Sequence, residues 1–190
     1  MTFSSKEKET IRQLLINACE LQWCEEGYKN TKVDELCAMA GISKGSFYLF
    51  YDSKEKIFVD VLIKTQQRLI SLVESVLGKN PTKENLADAL KAVYREYVSI
   101  PFISDTESAD FKIFLSKLPQ EYLDKILNHT NFDIKAIIDS TDIKFKINER
   151  QGLSILALLF RNPPVEKQLP YDLFETVDFM IDSLVKDIFE

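Results

Sequence analysis

Seven consecutive residues, Ser43-Lys44-Gly45-Ser46-Phe47-Tyr48-Leu49, bring together hydroxyls, an ammonium, a phenol and small side chains. The pattern suits contact with a nucleic-acid backbone and groove. Ser43 can cap a helix whose first backbone N–H groups point outward, Gly45 and Ser46 let that helix end come close, and Lys44 can then meet phosphates or a base edge. Thr31 and Lys32 head the preceding segment and Lys54 opens the following one, so that Lys29, Lys32, Lys44, Lys54 and Lys56 cluster around two short stretches. Thr31, Lys32, Ser43, Lys44, Gly45, Ser46, Tyr48, Leu49 and Lys54 are accordingly the candidate contact residues.

These residues need two short helices and a tight turn to position them. Val33, Leu36, Cys37 and Ala40 recur at helical spacing, with Thr31 as the expected N-cap and Asp34 three residues later in a capping-box arrangement. Gly41 stands where a helix needs a left-handed C-terminal residue, which glycine adopts without Cβ strain. Ile42 is the apolar residue of the turn, Ser43 caps the next helix, and Phe47 points to the core. Asp52 and Ser53 are placed to cap a third helix from Lys54, whose ammonium and free N–H groups can hold a phosphate. Together these elements read as a helix-turn-helix.

Gly41 to Phe58, GISKGSFYLFYDSKEKIF, resembles the signature of the tetracycline-repressor (TetR) family of one-component transcription regulators. The likeness runs from the amphipathic helix before Tyr28 to Phe58, and extends to chain length and an all-helical remainder. It implies that Tyr48 is the tyrosine of the recognition helix and Tyr51 the aromatic packing residue after it. Leu49 stands where the family often has histidine or another polar reader, and Phe50 where it often has a phosphate-binding tyrosine. The fold implied is all-α, with residues 1–53 as a three-helix DNA-binding domain and 54–190 as a helical effector-binding and dimerisation domain.

The overall charge argues against nucleic acid, since the whole chain carries −6 and Met1 to Asp60 holds eight Lys+Arg against ten Asp+Glu. Placement outweighs the total: the lysines gather around the two short helices, whereas Glu7, Glu9, Glu20, Glu25 and Glu26 belong to the helix before them. Affinity resting on so few lysines is salt-sensitive and calls for two subunits acting together. No run of about eighteen apolar residues exists and MTFSSKEKE lacks a signal-peptide core, so the expectation is a cytoplasmic protein without a membrane segment. Cys19, Cys24 and Cys37 form no CxxC or Cys/His cluster and read as free thiols. His129 is the only histidine, so no histidine-based metal site is expected. Neither a catalytic constellation nor a cofactor motif is present.

Along the chain, Ser4 or Ser5 can cap a first helix with Ile11, Leu14, Leu15, Ala18 and Leu21 as its apolar stripe, ending near Gly27, and Trp23 can pack between it and the supporting helix. Lys54 to about Leu77 reads as one long helix stopped by Gly78. Asn80 caps the next, with Pro81 at its first position and Ile100-Pro101-Phe102 breaking it. A short helix follows Ser108 and ends at Pro119; another starts there, interrupted near Asn128 to Asn131.

The last two segments, Glu149 to Phe160 and Leu173 to Phe189, are apolar on most sides, and Asn162-Pro163-Pro164 separates them. Either both are central in one subunit's core, or they pair with a second copy in a four-helix bundle. The family resemblance implies the homodimer, with two recognition helices on a near-palindromic double-stranded operator. It also implies an effector pocket in the middle helices, for which Tyr94, Tyr97, Phe102, Phe111, Phe114, Phe132 and Phe160 are the candidates for binding a small, largely apolar molecule. Such a ligand would bias two dimer geometries by tilting the Lys54–Leu77 helix. Two other readings stay open: a helix-turn-helix module that binds protein, which fits the acidic balance, and a small helical enzyme, disfavoured by the scarcity of histidine.

Overall fold

The computed structural model of the chain describes residues 3–79, 81–130, 134–139, 141–160 and 169–190, and the side chains of these except 127–130, 134 and 136. Its helices are α1 (Ser5–Asn30), α2 (Val33–Ala40), α3 (Lys44–Phe47), α4 (Lys54–Leu77), α5 (Lys83–Val98), α6 (Pro101–Ser104), α7 (Ala109–Ser116), α8 (Gln120–Thr130), α9 (Ile134–Asp139), α10 (Glu149–Leu159) and α11 (Leu173–Ile188). The fold is all-α with an N-terminal helix-turn-helix, and no helix among the described residues is long and apolar enough to cross a membrane. Two compact units divide the chain: Met1–Gln66 with Asp105–Asn131, and Gln67–Ser104 with Phe132–Glu190. This division falls inside α4 rather than at residue 53, and it groups α7 and α8 with the helix-turn-helix.

In the first unit α1 starts at a capping box between Ser4 and Glu7. Its buried stripe differs from the expected one: Leu15, Ile16, Ala18, Cys19 and Trp23 are buried, while Leu14 and Leu21 are 44% and 48% exposed. Aromatic packing sets the rotation. Trp23 lies against Phe58 of α4 at 4.6 Å between ring centroids and against Phe114 of α7 at 5.2 Å. Phe111, Phe114, Phe58 and Tyr28 complete this cluster, in which each ring pair adds about 0.5–1.5 kcal/mol beyond the area it buries. Gly27, with φ +78°, breaks the helix one turn before its end.

The helix-turn-helix forms by local capping. Thr31 does not cap α2: its hydroxyl donates to the Gly27 carbonyl at 2.7 Å and closes α1, and Lys32 stands at the N-cap position, its side chain making no capping bond to the helix backbone. Gly41 adopts φ +68° as the sequence requires, and the N–H of Ile42 returns to the Cys37 carbonyl at 3.0 Å. Ser43 caps α3 by accepting the Ser46 N–H, and Phe47 is fully buried. α4 begins and ends at the expected residues, with Gly78 at φ +65° beyond it.

In the second unit α5 and α11 pack through Leu86, Leu90, Val93, Val177, Ile181 and Val185, flanked by ion pairs Lys91–Asp182 and Arg95–Asp178 at 2.5 Å. Thr82 with Asn85, not Asn80, caps α5, and Pro81 precedes the cap instead of opening the helix; Asn80 lies outside the described residues, as do Asn162, Pro163 and Pro164. An isolated antiparallel bridge joins Phe145 to Phe189, with Lys146 N–H to the Ile188 carbonyl at 2.9 Å and Glu190 N–H to the Lys144 carbonyl at 2.8 Å. Gly152 of α10 leaves the room that the Phe145 ring fills; a Cβ there would run into it.

Candidate nucleic-acid interface and effector site

The turn at Gly41 delivers Ser43, and Ser43 fixes α3 by holding the Ser46 N–H at 3.1 Å while its hydroxyl shares a hydrogen bond with that of Ser46 at 2.9 Å. With Phe47 anchored inward, Lys44, Gly45, Tyr48 and Leu49 are left exposed and Ser46 half-buried. Lys44 pairs with Asp34 of α2 at 3.0 Å, and this hydrogen bond and charge raise its pKa, keeping the ammonium charged. Both partners are more than half exposed, so incoming phosphate competes readily for the lysine. Lys32 is similarly exposed and paired with Glu35 at 2.9 Å.

Two of the nine candidate contacts turn inward. Thr31 is buried, its hydroxyl given to Gly27. Lys54 donates its ammonium to the Tyr28 carbonyl and lies over the Tyr28 ring at 4.4 Å, and burial lowers its pKa. The ammonium thus braces the end of α1 instead of presenting itself as a phosphate ligand.

That brace belongs to a polar hub which sequence reasoning missed. Asp110, in the first turn of α7, accepts the N–H groups of Tyr28 at 2.6 Å and Lys29 at 2.9 Å, the donors that the break at Gly27 frees. A Cβ on Gly27 would stand 3.0 Å from the Asp110 carboxylate. The Tyr28 hydroxyl donates to Glu55 at 2.5 Å; burial first, and the Glu55 hydrogen bond second, push this phenol's pKa up. No local signal could have found Asp110, which is 82 residues from Tyr28. Gly27 followed by an aromatic was the one visible trace.

The effector candidates separate into two groups. Phe111 and Phe114 belong to the aromatic core of the first unit. Tyr94, Tyr97 and Phe160 come together in the second unit, with Phe160 6.0 Å from Tyr94 and 5.7 Å, edge-on, from Tyr97. Phe102 of α6 is buried, and Phe132 lies outside the described residues, as does the side chain of His129. The Tyr94 hydroxyl is buried and meets no hydrogen-bond partner among the described residues, and burial raises its pKa. A donor in that condition is suited to a ligand's polar atom. By contrast, the open groove lined by Gln22, Glu26, Lys29, Asn30, Lys32 and Glu35 is polar and of mixed charge, unlike an apolar ligand site.

The last two helices bury only one face each. Leu156 and Gly152 of α10 and Leu173, Val177, Ile181 and Val185 of α11 are inside, while Leu158, Phe174, Phe179 and Met180 are exposed, Phe179 at 74%.

Residues 15–61 match the family model described as bacterial regulatory proteins, tetR family. YdgC of Bacillus subtilis, an uncharacterised HTH-type transcriptional regulator, is 27% identical over 143 residues, 67% of this chain and 73% of its own. IcaR of Staphylococcus aureus, the negative transcriptional regulator of the biofilm operon icaADBC, is 26% identical over 155 residues, 77% of this chain and 78% of its own. Among solved structures, the transcriptional regulator FadR from Bacillus subtilis in complex with stearoyl-CoA superposes with a TM-score of 0.60 at 21% identity, covering 91% of this chain and 97% of that one, a likeness of fold.

Proposed function

We propose that this chain, whose residues 15–61 match the family model of bacterial regulatory proteins, tetR family, is a ligand-responsive repressor that binds a near-palindromic operator as a homodimer. The carrying observation is the exposed face of α3, where Lys44, Gly45, Tyr48 and Leu49 stand outward from a helix fixed by Gly41, Ser43 and buried Phe47. Residues 1–53 are its reading head, and 54–190 sense and pair. The exposed Leu158, Phe174, Phe179 and Met180 support pairing through α10 and α11, because large apolar side chains left in water gain by being covered. Negative regulation follows the likeness to IcaR.

The effector is a small, largely apolar molecule held near Tyr94, Tyr97 and Phe160, with the Tyr94 hydroxyl meeting a polar atom of it. Stearoyl-CoA, the ligand in the FadR structure, is the first probe. No catalytic step is assigned, and the place of action is the cytoplasm, where an operator is accessible.

Selection of bound duplexes from a random pool at moderate salt tests this reading. Enrichment of an inverted repeat, bound by two chains and with affinity falling steeply as salt rises, is expected. Failure to enrich any sequence would favour a protein-binding use of the helix-turn-helix, a reading to which the net charge of −6 and the pairing of Lys32 and Lys44 with carboxylates lend weight.

A further inference from the structure

Leu49 is the most exposed large apolar side chain among the described residues of the first unit, at 68%, and it sits on the face proposed to meet DNA. Its position is well defined by the backbone. Beyond α3 the chain stays coiled, with Leu49 N–H to the Ser46 carbonyl at 3.1 Å, Phe50 N–H to the Phe47 carbonyl at 2.9 Å and Tyr51 N–H to the same carbonyl at 3.0 Å. This coil sets Leu49 one turn beyond Gly45 and Ser46 on the same side. At Gly45 an added Cβ would find only the Ser43 hydroxyl, 3.9 Å away, so the surface there is open.

Of the neighbouring hydrogen-bonding groups, the Ser43 and Ser46 hydroxyls engage each other at 2.9 Å, and Lys44 is held towards Asp34 at 3.0 Å until a phosphate displaces it. Leu49 itself neither donates nor accepts. In the major groove the apolar feature that a base pair offers is the C5-methyl group of thymine, and cytosine in its place shows a bare C5–H beside an amino donor. We infer that Leu49 is a specificity-determining residue for thymine: each operator half-site holds a T·A pair whose methyl packs against the leucine, in the space left open at Gly45. The inference rests on the DNA-reading proposal and names what one residue of that face reads. 5-Methylcytosine, which carries the same methyl, would satisfy the contact in part.

The test uses the full chain and the duplex enriched from the random pool. Each thymine of a half-site is replaced in turn by deoxyuridine, which removes the methyl and nothing else, and binding is titrated for wild type and Leu49→Ala at one salt concentration. One position is expected at which deoxyuridine weakens the wild type about fourfold, the worth of one buried methyl, while Leu49→Ala binds both duplexes alike. Replacing that T·A pair by 5-methylcytosine·guanine should bind the wild type better than unmethylated cytosine·guanine. Because Leu49 is exposed, Leu49→Ala should melt with the wild type, which separates the effect from misfolding. Equal tolerance of deoxyuridine at every position, or an equal penalty in both proteins, would overturn the inference and leave the DNA-reading proposal standing. A pool that yields no enriched duplex would overturn both.

Discussion

Two buried tyrosines show how differently the two units use their polar groups. Tyr28, in the first unit, has its hydroxyl on Glu55, its N–H on Asp110 and its carbonyl on Lys54. Tyr94, in the second, is equally inaccessible, and its hydroxyl has no partner among the described residues. The first arrangement is that of a part held ready: the break at Gly27 leads directly into α2, and satisfying every freed donor there fixes α2 and α3 before any DNA arrives, which lowers the ordering cost of binding. An unmet donor among aromatic rings instead leaves something for a ligand to complete. Rigidity and receptivity thus sit in different parts of one chain.

The contrast can be broken most forcefully in the aromatic core of the first unit. Phe114→Ala, at a fully buried ring touching Trp23, Tyr28, Phe58 and Phe111, should lower the unfolding free energy by about 4 kcal/mol in denaturant titration. Asp110→Ala removes two hydrogen bonds accepted by a carboxylate and should cost about 3 kcal/mol by the same measurement. A loss below about 1 kcal/mol would show that the hub does not hold the end of α1. The sharpest comparison applies one substitution to both units. Tyr28→Phe, which takes a charge-assisted bond from Glu55, should destabilise by about 2 kcal/mol, whereas Tyr94→Phe, which takes away a buried hydroxyl without a partner, should be neutral or stabilising by about 1 kcal/mol. Like signs for the two would erase the distinction drawn between the units.

Features decided within one turn of helix were readable from the residues alone. Gly41 and Gly78 end their helices and Ser43 caps α3 because each acts on backbone groups within four residues. Cap choice between neighbours was less legible: Thr31 closes α1 and Thr82, not Asn80, caps α5, since a hydroxyl can serve either the helix behind it or the one ahead. Long-range partners left almost no trace. Leu14 and Leu21 fit an apolar stripe as well as Ile16 and Cys19 do, and only the docking of Trp23 on Phe58 and Phe114 selects the second. Lys54 likewise reads as a surface cation until the Tyr28 carbonyl and ring draw it inward. The candidate reading face was therefore legible in Ser43 to Leu49, and the hub that steadies it was not.

The most direct measurement on that face is a titration of the selected operator at fixed salt with wild type, Lys44→Ala and Tyr48→Phe, all checked for equal melting temperature. The expected result is about a fivefold loss for Tyr48→Phe, one hydroxyl hydrogen bond, and about tenfold for Lys44→Ala with a shallower salt dependence. Wild-type affinity in both variants would contradict the account, because the exposed end of α3 would then not be what touches DNA.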